Sequence, residues 1–192
     1  RLDPRADIGL GEIHLPEFEV LGGTGGSAAD ELYRRCEAGL AQRYGTPDGH
    51  VLGRLAEELD IINHLGFASY FLTVADVTEA IRELGIRSAA RGSGAGSLVN
   101  YLLGVCGVDP IRHGLLMERF LSPLRMALPD IDLDVESARR TEVYDKILDL
   151  FGAERVACVA MVDTYRVRHA VRDVGAALSL PPREIDAIAT AF

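Results

Sequence analysis

The chain is poor in cysteine, in deficit of basic charge and without a long apolar run. Its three cysteines, Cys36, Cys106 and Cys158, are far apart and show no CxxC spacing. That pattern argues against a disulfide framework or a zinc site, and all three read as reduced residues of a cytosolic core. No window approaches the roughly 18 uninterrupted apolar residues of a membrane span, and the opening RLDPRADIGLG lacks the apolar stretch of a secretory signal. A soluble, cytoplasmic chain with no membrane partner is expected. Paired histidines are missing as well: His14, His50, His64, His113 and His169 stand singly and read as surface or capping residues. Basic charge is short, with 20 Lys and Arg against 29 Asp and Glu and a net charge of −9. Simple polyanion binding needs a cationic surplus, so the average argues against it. The average hides a segregation, however. Acids crowd Glu57 to Asp60 and Asp130 to Glu136, whereas Arg112, Arg119, Arg125, Arg139, Arg140, Arg166, Arg168 and Arg172 collect towards the C-terminus. A protein that holds metal ions beside a polyanion needs both signs.

What is present is enough apolar material, 48% of 192 residues, for the core of one domain and part of another. Residues 1–26, with Pro4, Pro16 and the run Gly22-Gly23-Thr24-Gly25-Gly26, read as a linker. Ser27, with Asp30 three residues on, caps a helix to about Tyr44, stopped by Gly45. A second helix runs from about Val51 to Leu65, with Leu52, Leu55, Leu59 and Ile62 spaced for burial, and a third from about Phe71 to Leu84. A strand over Ile86–Ala90 leads into Arg91-Gly92-Ser93-Gly94-Ala95-Gly96-Ser97, followed by a short helix to Leu103. Asp109-Pro110 marks a turn, and Gly114 to Leu121 a helical turn or two. A helix over Ala138–Phe151, an apolar strand near Val156–Met161, and a helical tail broken at Pro181-Pro182 complete the reading. Tyr101, Phe120 and Tyr144 read as core. The chain opens at Arg1 without methionine and stops in a stretch that reads as helical, so a piece of a longer protein is expected.

After Pro129 the period changes to two. Asp130, Asp132, Asp134 and Glu136 alternate with Ile131, Leu133 and Val135, the pattern of a strand. Asp132 and Asp134 then share a face with Cβ atoms about 6–7 Å apart. Paired carboxylates of this kind can hold two divalent cations about 3.5–4 Å apart for in-line phosphoryl transfer. Hard cations such as magnesium take oxygen ligands. The alternative is a solvated outer face on an edge strand, though acids on one face repel by roughly 0.2–1 kcal/mol per close pair unless cations answer them. Spacing alone leaves both open, and an Asp-x-Asp pair does not choose a substrate.

The loop from Arg91 to Ser97 holds three glycines and two serines between a strand and a helix. Backbone N–H groups in such a loop can approach an anion, a triphosphate for instance. Neither a Walker lysine nor a dinucleotide fingerprint is present. A tight turn that needs glycine's freedom is the plainer alternative. Arg91, Arg119 and Arg125 favour the phosphate, because positioned guanidiniums pair well with its oxygens. Tyr165, between arginines in Tyr165-Arg166-Val167-Arg168, is a weaker candidate for contact with nucleic acid.

Four stretches, taken together, carry a resemblance. They are Asp60-Ile-Ile-Asn-His-Leu-Gly-Phe-Ala-Ser-Tyr-Phe-Leu72, Arg91-Gly-Ser-Gly-Ala-Gly-Ser97, Leu116-Met-Glu-Arg-Phe-Leu-Ser-Pro123 and Pro129-Asp-Ile-Asp-Leu-Asp134. In this order and spacing they resemble the palm of the bacterial DNA polymerase III alpha subunit, the C-family of DNA polymerases. The resemblance implies an α+β fold, a beta-type nucleotidyltransferase palm with a mixed sheet and packed helices. It implies a linker from an N-terminal PHP domain over 1–26, palm over 27–162 and the start of a helical thumb over 163–192. On this resemblance Asp132 and Asp134 are the catalytic metal ligands for two Mg2+ ions, with Mn2+ as the alternative, and Asp130 is the lesser member of the motif. Arg91, Gly92, Ser93, Gly94, Ser97, Arg119 and Arg125 would bind the incoming dNTP. Tyr165, Arg166 and Arg168 would meet primer-template DNA. The whole protein would also bind a sliding clamp and other polymerase or repair subunits.

Asp134-Val-Glu-Ser-Ala-Arg-Arg140 and Val162-Asp-Thr-Tyr-Arg-Val-Arg168 look closer to the error-prone, translesion branch than to the main replicase. The family also uses a third carboxylate on a later strand, which these 192 residues do not reach, so the isolated chain is expected to fold at best partly and not to polymerise. A template-independent nucleotidyltransferase and a non-catalytic nucleotide-binding module are the competing readings.

Overall fold

The computed structural model describes residues 14–17, 26–121, 128–159, 164 and 166–191, without the Arg119 side chain. The chain forms two compact units, Arg1–Val156 and Ala157–Phe192. In the first, α1 spans Ala28–Arg43, α2 Gly49–His64 and α3 Ala68–Glu83. The expected capping box starts α1: Ser27 Oγ accepts from Asp30 N–H, and Asp30 Oδ2 accepts from Ser27 N–H at 3.0 Å. Such a cap stabilises a helix by about 1 kcal/mol. Gly45, Gly66 and Gly85, all at positive φ, follow the three helices.

Strand β1 (Ser88–Arg91) then runs into a short 3-10 helix, Gly92–Gly96, and α4 (Leu98–Leu102). A second 3-10 turn covers Met117–Arg119. Strand β2 (Asp132–Val135) and a 3-10 turn lead into α5 (Arg140–Phe151). The fold is therefore α+β and rich in helix. Among the described residues the sheet is one antiparallel pair, with Ser88 opposite Val135, Ala89 opposite Asp134, Ala90 opposite Leu133 and Arg91 opposite Asp132.

Among the described residues, two apolar clusters hold this unit. The larger joins α1 to α4 through Leu32, Cys36, Leu59, Ile62, Phe71, Leu72, Leu98 and Val99, and includes Leu121 and Phe120, whose ring lies against Gly94 of the glycine loop. Fully burying one such side chain is worth about 1.5–3 kcal/mol. The smaller, around Ile81, Ile86 and Val143, receives Leu133 and Val135 from the underside of β2. Alternation in β2 thus gives one face that rests on α3 and α5 and one that meets solvent.

Several expectations need correction. Leu52 is exposed and Val51 takes its place in the core, because Val51, Leu55, Leu59 and Ile62 keep the helical spacing and Leu52 lies one residue, about 100°, off that stripe. Tyr144 is likewise 45% exposed, one residue from buried Val143, with the Arg140 guanidinium 5.8 Å from its ring centroid. The expected strand near Val156 is not found among the described residues 156–159, which have no ladder partner; Val159 is 90% exposed and Cys158 is exposed. Cys36 and Cys106 are buried as expected, and burial pushes the Cys36 thiol up to about 12.

The second unit is a helical pair, α6 (Val167–Ala177) and α7 (Pro182–Thr190). Pro182 stands at the first position of α7, where its missing N–H has no intrahelical partner to lose. Gly175 lets Ile185 approach closely: a Cβ added there would lie 2.8 Å from Ile185 Cγ1. No described helix is long and apolar enough to cross a membrane.

Candidate active site

The solvent face of the β1–β2 ribbon is built from four residues. Directly opposed residues of an antiparallel pair share a face, so Ala89, Arg91, Asp132 and Asp134 project together. Ala89 offers only a methyl group opposite Asp134, which leaves space above the carboxylates. Arg91 fills part of it: Nε donates to Asp134 Oδ1 at 3.2 Å, and Nη2 lies 3.7 Å from Asp132 Oδ2. The two aspartates keep more than half of their side-chain surface exposed. The other acids of the strand differ from this pair. Glu136 accepts from both the backbone N–H and Nε of Arg87 at 3.0 Å, and the backbone bond first, then the guanidinium, holds its carboxyl below the ordinary range. Asp130 is exposed ahead of the strand.

Tyr70 fixes where the acidic segment leaves the core. Its hydroxyl accepts from the Ile131 N–H at 3.2 Å, and its ring meets Phe71 edge to face. Burial, with Asp130 and Asp132 nearby, raises the pKa of the phenol, so it stays neutral.

The glycine loop starts at this face. Gly92 has φ +72°, a left-handed conformation that glycine adopts without strain, and a Cβ there would lie 3.8 Å from Asp132 Oδ2. Gly92 and Ser93 are exposed, and Gly92 adjoins the Asp132 carboxylate. The remainder of the loop turns inward. Gly94 and Gly96 are buried, and a Cβ on Gly96 would meet the Leu116 carbonyl oxygen at 2.8 Å. Ser97 is also buried; its hydroxyl caps α4 by accepting from Asn100 N–H at 3.2 Å and donates to Glu58 Oε2 at 2.9 Å. Gly94 and Ser97, both expected at the substrate, lie buried behind the exposed entry of the loop.

Sequence reasoning missed Arg54 and Glu58 of α2. Glu58 is fully buried and accepts four hydrogen bonds: Arg54 Nε at 2.8 Å and Leu98 N–H at 2.9 Å on Oε1, Ser97 Oγ and Val99 N–H at 3.0 Å on Oε2. Arg54 Nη2 donates to the Gly96 and Leu115 carbonyls at 3.0 and 3.3 Å. An Arg–Glu pair four residues apart reads as a surface ion pair, and only the glycine-rich stretch about 40 residues later gave a sign that something must hold it.

The other expected residues are dispersed. Arg119 closes the short turn after Met117, and Arg125 and Tyr165 lie outside the described residues. In the second unit Arg166 precedes α6 as its exposed N-cap, and Arg168 Nε donates to the Ala189 carbonyl at 3.1 Å, tying α6 to the end of α7.

No three His, Cys, Asp or Glu side chains cluster as a metal site among the described residues. The donor set of Asp132 and Asp134 nonetheless fits a hard divalent cation, which takes carboxylate oxygens and completes its shell with water or phosphate oxygens. The Arg91 guanidinium between them marks the place as one that attracts positive charge.

Known proteins similar to this chain share one family. The profile of the Bacterial DNA polymerase III alpha NTPase domain matches residues 30–192. A protein named DNA polymerase III subunit alpha from Bacillus subtilis (strain 168) is 44% identical over 186 residues, 96% of this chain and 16% of that protein. Its namesake from Mycobacterium tuberculosis (strain ATCC 25618 / H37Rv) is 43% identical over 176 residues, 90% of this chain and 15% of that protein. A protein named error-prone DNA polymerase from Pseudomonas fluorescens (strain Pf0-1) is 42% identical over 192 residues, 98% of this chain and 18% of that protein. The chain therefore spans less than a fifth of the length of these relatives. With a family profile matched over most of its residues and relatives above 40% identity, the chain belongs to the bacterial DNA polymerase III alpha family.

Proposed function

We propose that this chain is the part of a DNA-directed DNA polymerase palm that carries two of the catalytic metal ligands and the cradle for the incoming dNTP. The observation that carries the reading is the meeting of Asp132 and Asp134 with the exposed entry of the glycine loop, Gly92 and Ser93, at one end of the ribbon. Residues 27–162 belong to a beta-type nucleotidyltransferase palm on this reading, and 163–192 begin the thumb.

Asp132 and Asp134 hold two Mg2+ ions, with Mn2+ able to replace them. When bound, such ions stabilise the attacking and leaving oxygens of an in-line phosphoryl transfer. Gly92 and Ser93 orient the triphosphate through backbone N–H groups and the serine hydroxyl. Arg91, released from the carboxylates, pairs with a phosphate oxygen. The primer 3′-hydroxyl then loses its proton to solvent as its oxygen forms a bond to the α-phosphorus, the bond from the α-phosphorus to the oxygen bridging to the β-phosphate breaks, and pyrophosphate leaves. Arg119 and Arg125 contribute to the same nucleotide, and Tyr165, Arg166 and Arg168 to the DNA backbone. The family's third carboxylate is supplied from a longer chain, as are contacts with a sliding clamp and other subunits. Similarity to relatives of both names does not select a branch; the stretch from Asp134 to Arg140 favours error-prone synthesis, which incorporation opposite an abasic template position would test.

The decisive experiment is primer extension by a whole polymerase carrying this segment. Asp132→Ala and Asp134→Ala should each abolish template-directed incorporation while leaving the protein folded. Incorporation without regard to template would favour a template-independent nucleotidyltransferase, and metal-dependent nucleotide binding that survives both substitutions would favour a non-catalytic module.

A further inference from the structure

We infer that Arg54 and Glu58 are positioning residues for nucleotide binding: they clamp the rear of the glycine loop so that its entry, Gly92 and Ser93, is held at Asp132. The inference rests on the loop binding the triphosphate. Three anchors act on the rear of the loop. Arg54 holds the Gly96 carbonyl, Glu58 takes the Ser97 hydroxyl and the first two N–H groups of α4, and Gly94 O accepts from Ser97 N–H and Asn100 Nδ2 at 3.3 and 2.9 Å. No charged partner is left over, because the Glu58 carboxylate is answered by Arg54 on the same helix.

The arrangement has two consequences for a substrate. The start of α4 is already occupied by a carboxylate, so a phosphate is directed to the other end of the loop, beside the aspartates. A stretch with three glycines in five residues is also intrinsically loose, and each residue that had to be ordered on binding would weaken affinity by roughly 5- to 30-fold. The clamp removes that burden before the nucleotide arrives.

Glu58→Gln is the sharpest probe. Each carboxylate oxygen accepts two donors, so the amide nitrogen of glutamine opposes the Arg54 and Leu98 N–H groups when turned one way and the Val99 N–H when turned the other, where the Ser97 hydroxyl alone can turn to accept. Arg54→Lys keeps the charge and loses the simultaneous hold on Glu58 and Gly96. In a whole polymerase carrying this segment, each variant should raise the KM for dNTP by about tenfold or more, as small misplacements of binding groups do. The KM for primer-template and the kcat at saturating dNTP should move far less. Ile62→Val, a core change on the same helix at a side chain that makes no hydrogen bond to the loop, should lower the melting temperature and leave the dNTP KM alone. Should Glu58→Gln fail to fold, Ser97→Ala removes a single donor to Glu58 and carries the same expectation.

Melting temperatures that fall while the dNTP KM stays fixed, with Ser93→Ala still raising that KM, would overturn the clamp and leave the nucleotide site standing. A dNTP KM indifferent to Ser93→Ala and Gly92→Ala as well would remove the nucleotide site itself, and the clamp with it.

Discussion

Arg91 stands directly opposite Asp132 across the ribbon and donates to Asp134, so one guanidinium bridges both carboxylates of the candidate site and offsets only part of their charge. A divalent cation and Arg91 cannot both be the close counter-charge of the pair. Arg91→Ala should therefore tighten Mn2+ binding. The groups are more than half exposed, which limits the gain to roughly 1 kcal/mol, or about fivefold. A Mn2+ titration followed by electron paramagnetic resonance checks this, and unchanged or weaker binding contradicts it. The same variant should bind dNTP less well, so its two effects have opposite signs.

Gly92 and Gly96 should respond to alanine for different reasons. At Gly92 the penalty is the left-handed backbone, about 1–2 kcal/mol. At Gly96 the new methyl group meets the Leu116 carbonyl, and forcing the two segments apart costs typically 1–3 kcal/mol. Urea denaturation reads both losses. Hydrogen exchange separates them: faster exchange around Leu115 and Leu116 is expected for Gly96→Ala and not for Gly92→Ala.

Tyr70→Phe keeps the ring in the core and deletes the acceptor of the Ile131 N–H. A loss of about 1 kcal/mol is expected from one hydrogen bond of this kind. The Ile131 amide should exchange faster, and Mn2+ affinity should fall, because the acidic strand is less well fixed. A destabilised variant with unaltered Mn2+ binding would show that Tyr70 serves the core alone.

Hydrogen bonding to Arg34, ahead of that to Arg35, holds the Glu31 carboxyl at about 2, against an ordinary 4.5. A lowered carboxylate stabilises the folded state fully above the ordinary value, and that contribution is lost as pH falls from about 4.5 towards 2. Arg34 is largely exposed, so screening limits the effect to roughly 1 kcal/mol. Glu31→Gln should lower the unfolding midpoint near neutral pH and flatten its decline between those values. An acid limb of the same steepness in both proteins would count against the assignment.

Local signals were legible in the sequence and distant ones were not. Ser27 with Asp30 marked the start of α1, three glycines marked the helix ends, and the alternation after Pro129 identified a strand with one acidic face. Each of these depends on neighbours within a few residues. The one-residue offset that exposes Leu52 and Tyr144 was missed because periodicity fixes a stripe less sharply than packing does. The roles of Arg54, Glu58 and Ser97 depend on contacts spanning 39 to 61 residues, which no local pattern encodes. A buried serine and a phosphate-binding serine look alike in a Gly-Ser stretch, and only their partners tell them apart.

The dependence of the glycine loop on α2 also limits how the site could be transplanted. Grafted alone onto another scaffold, the seven residues from Arg91 to Ser97 would arrive without Arg54, Glu58 and the Leu115–Leu116 backbone against which they are shaped. The smallest portable unit is therefore discontinuous, and a designer would have to move α2, the loop with α4, and the turn before Met117 as one three-part module.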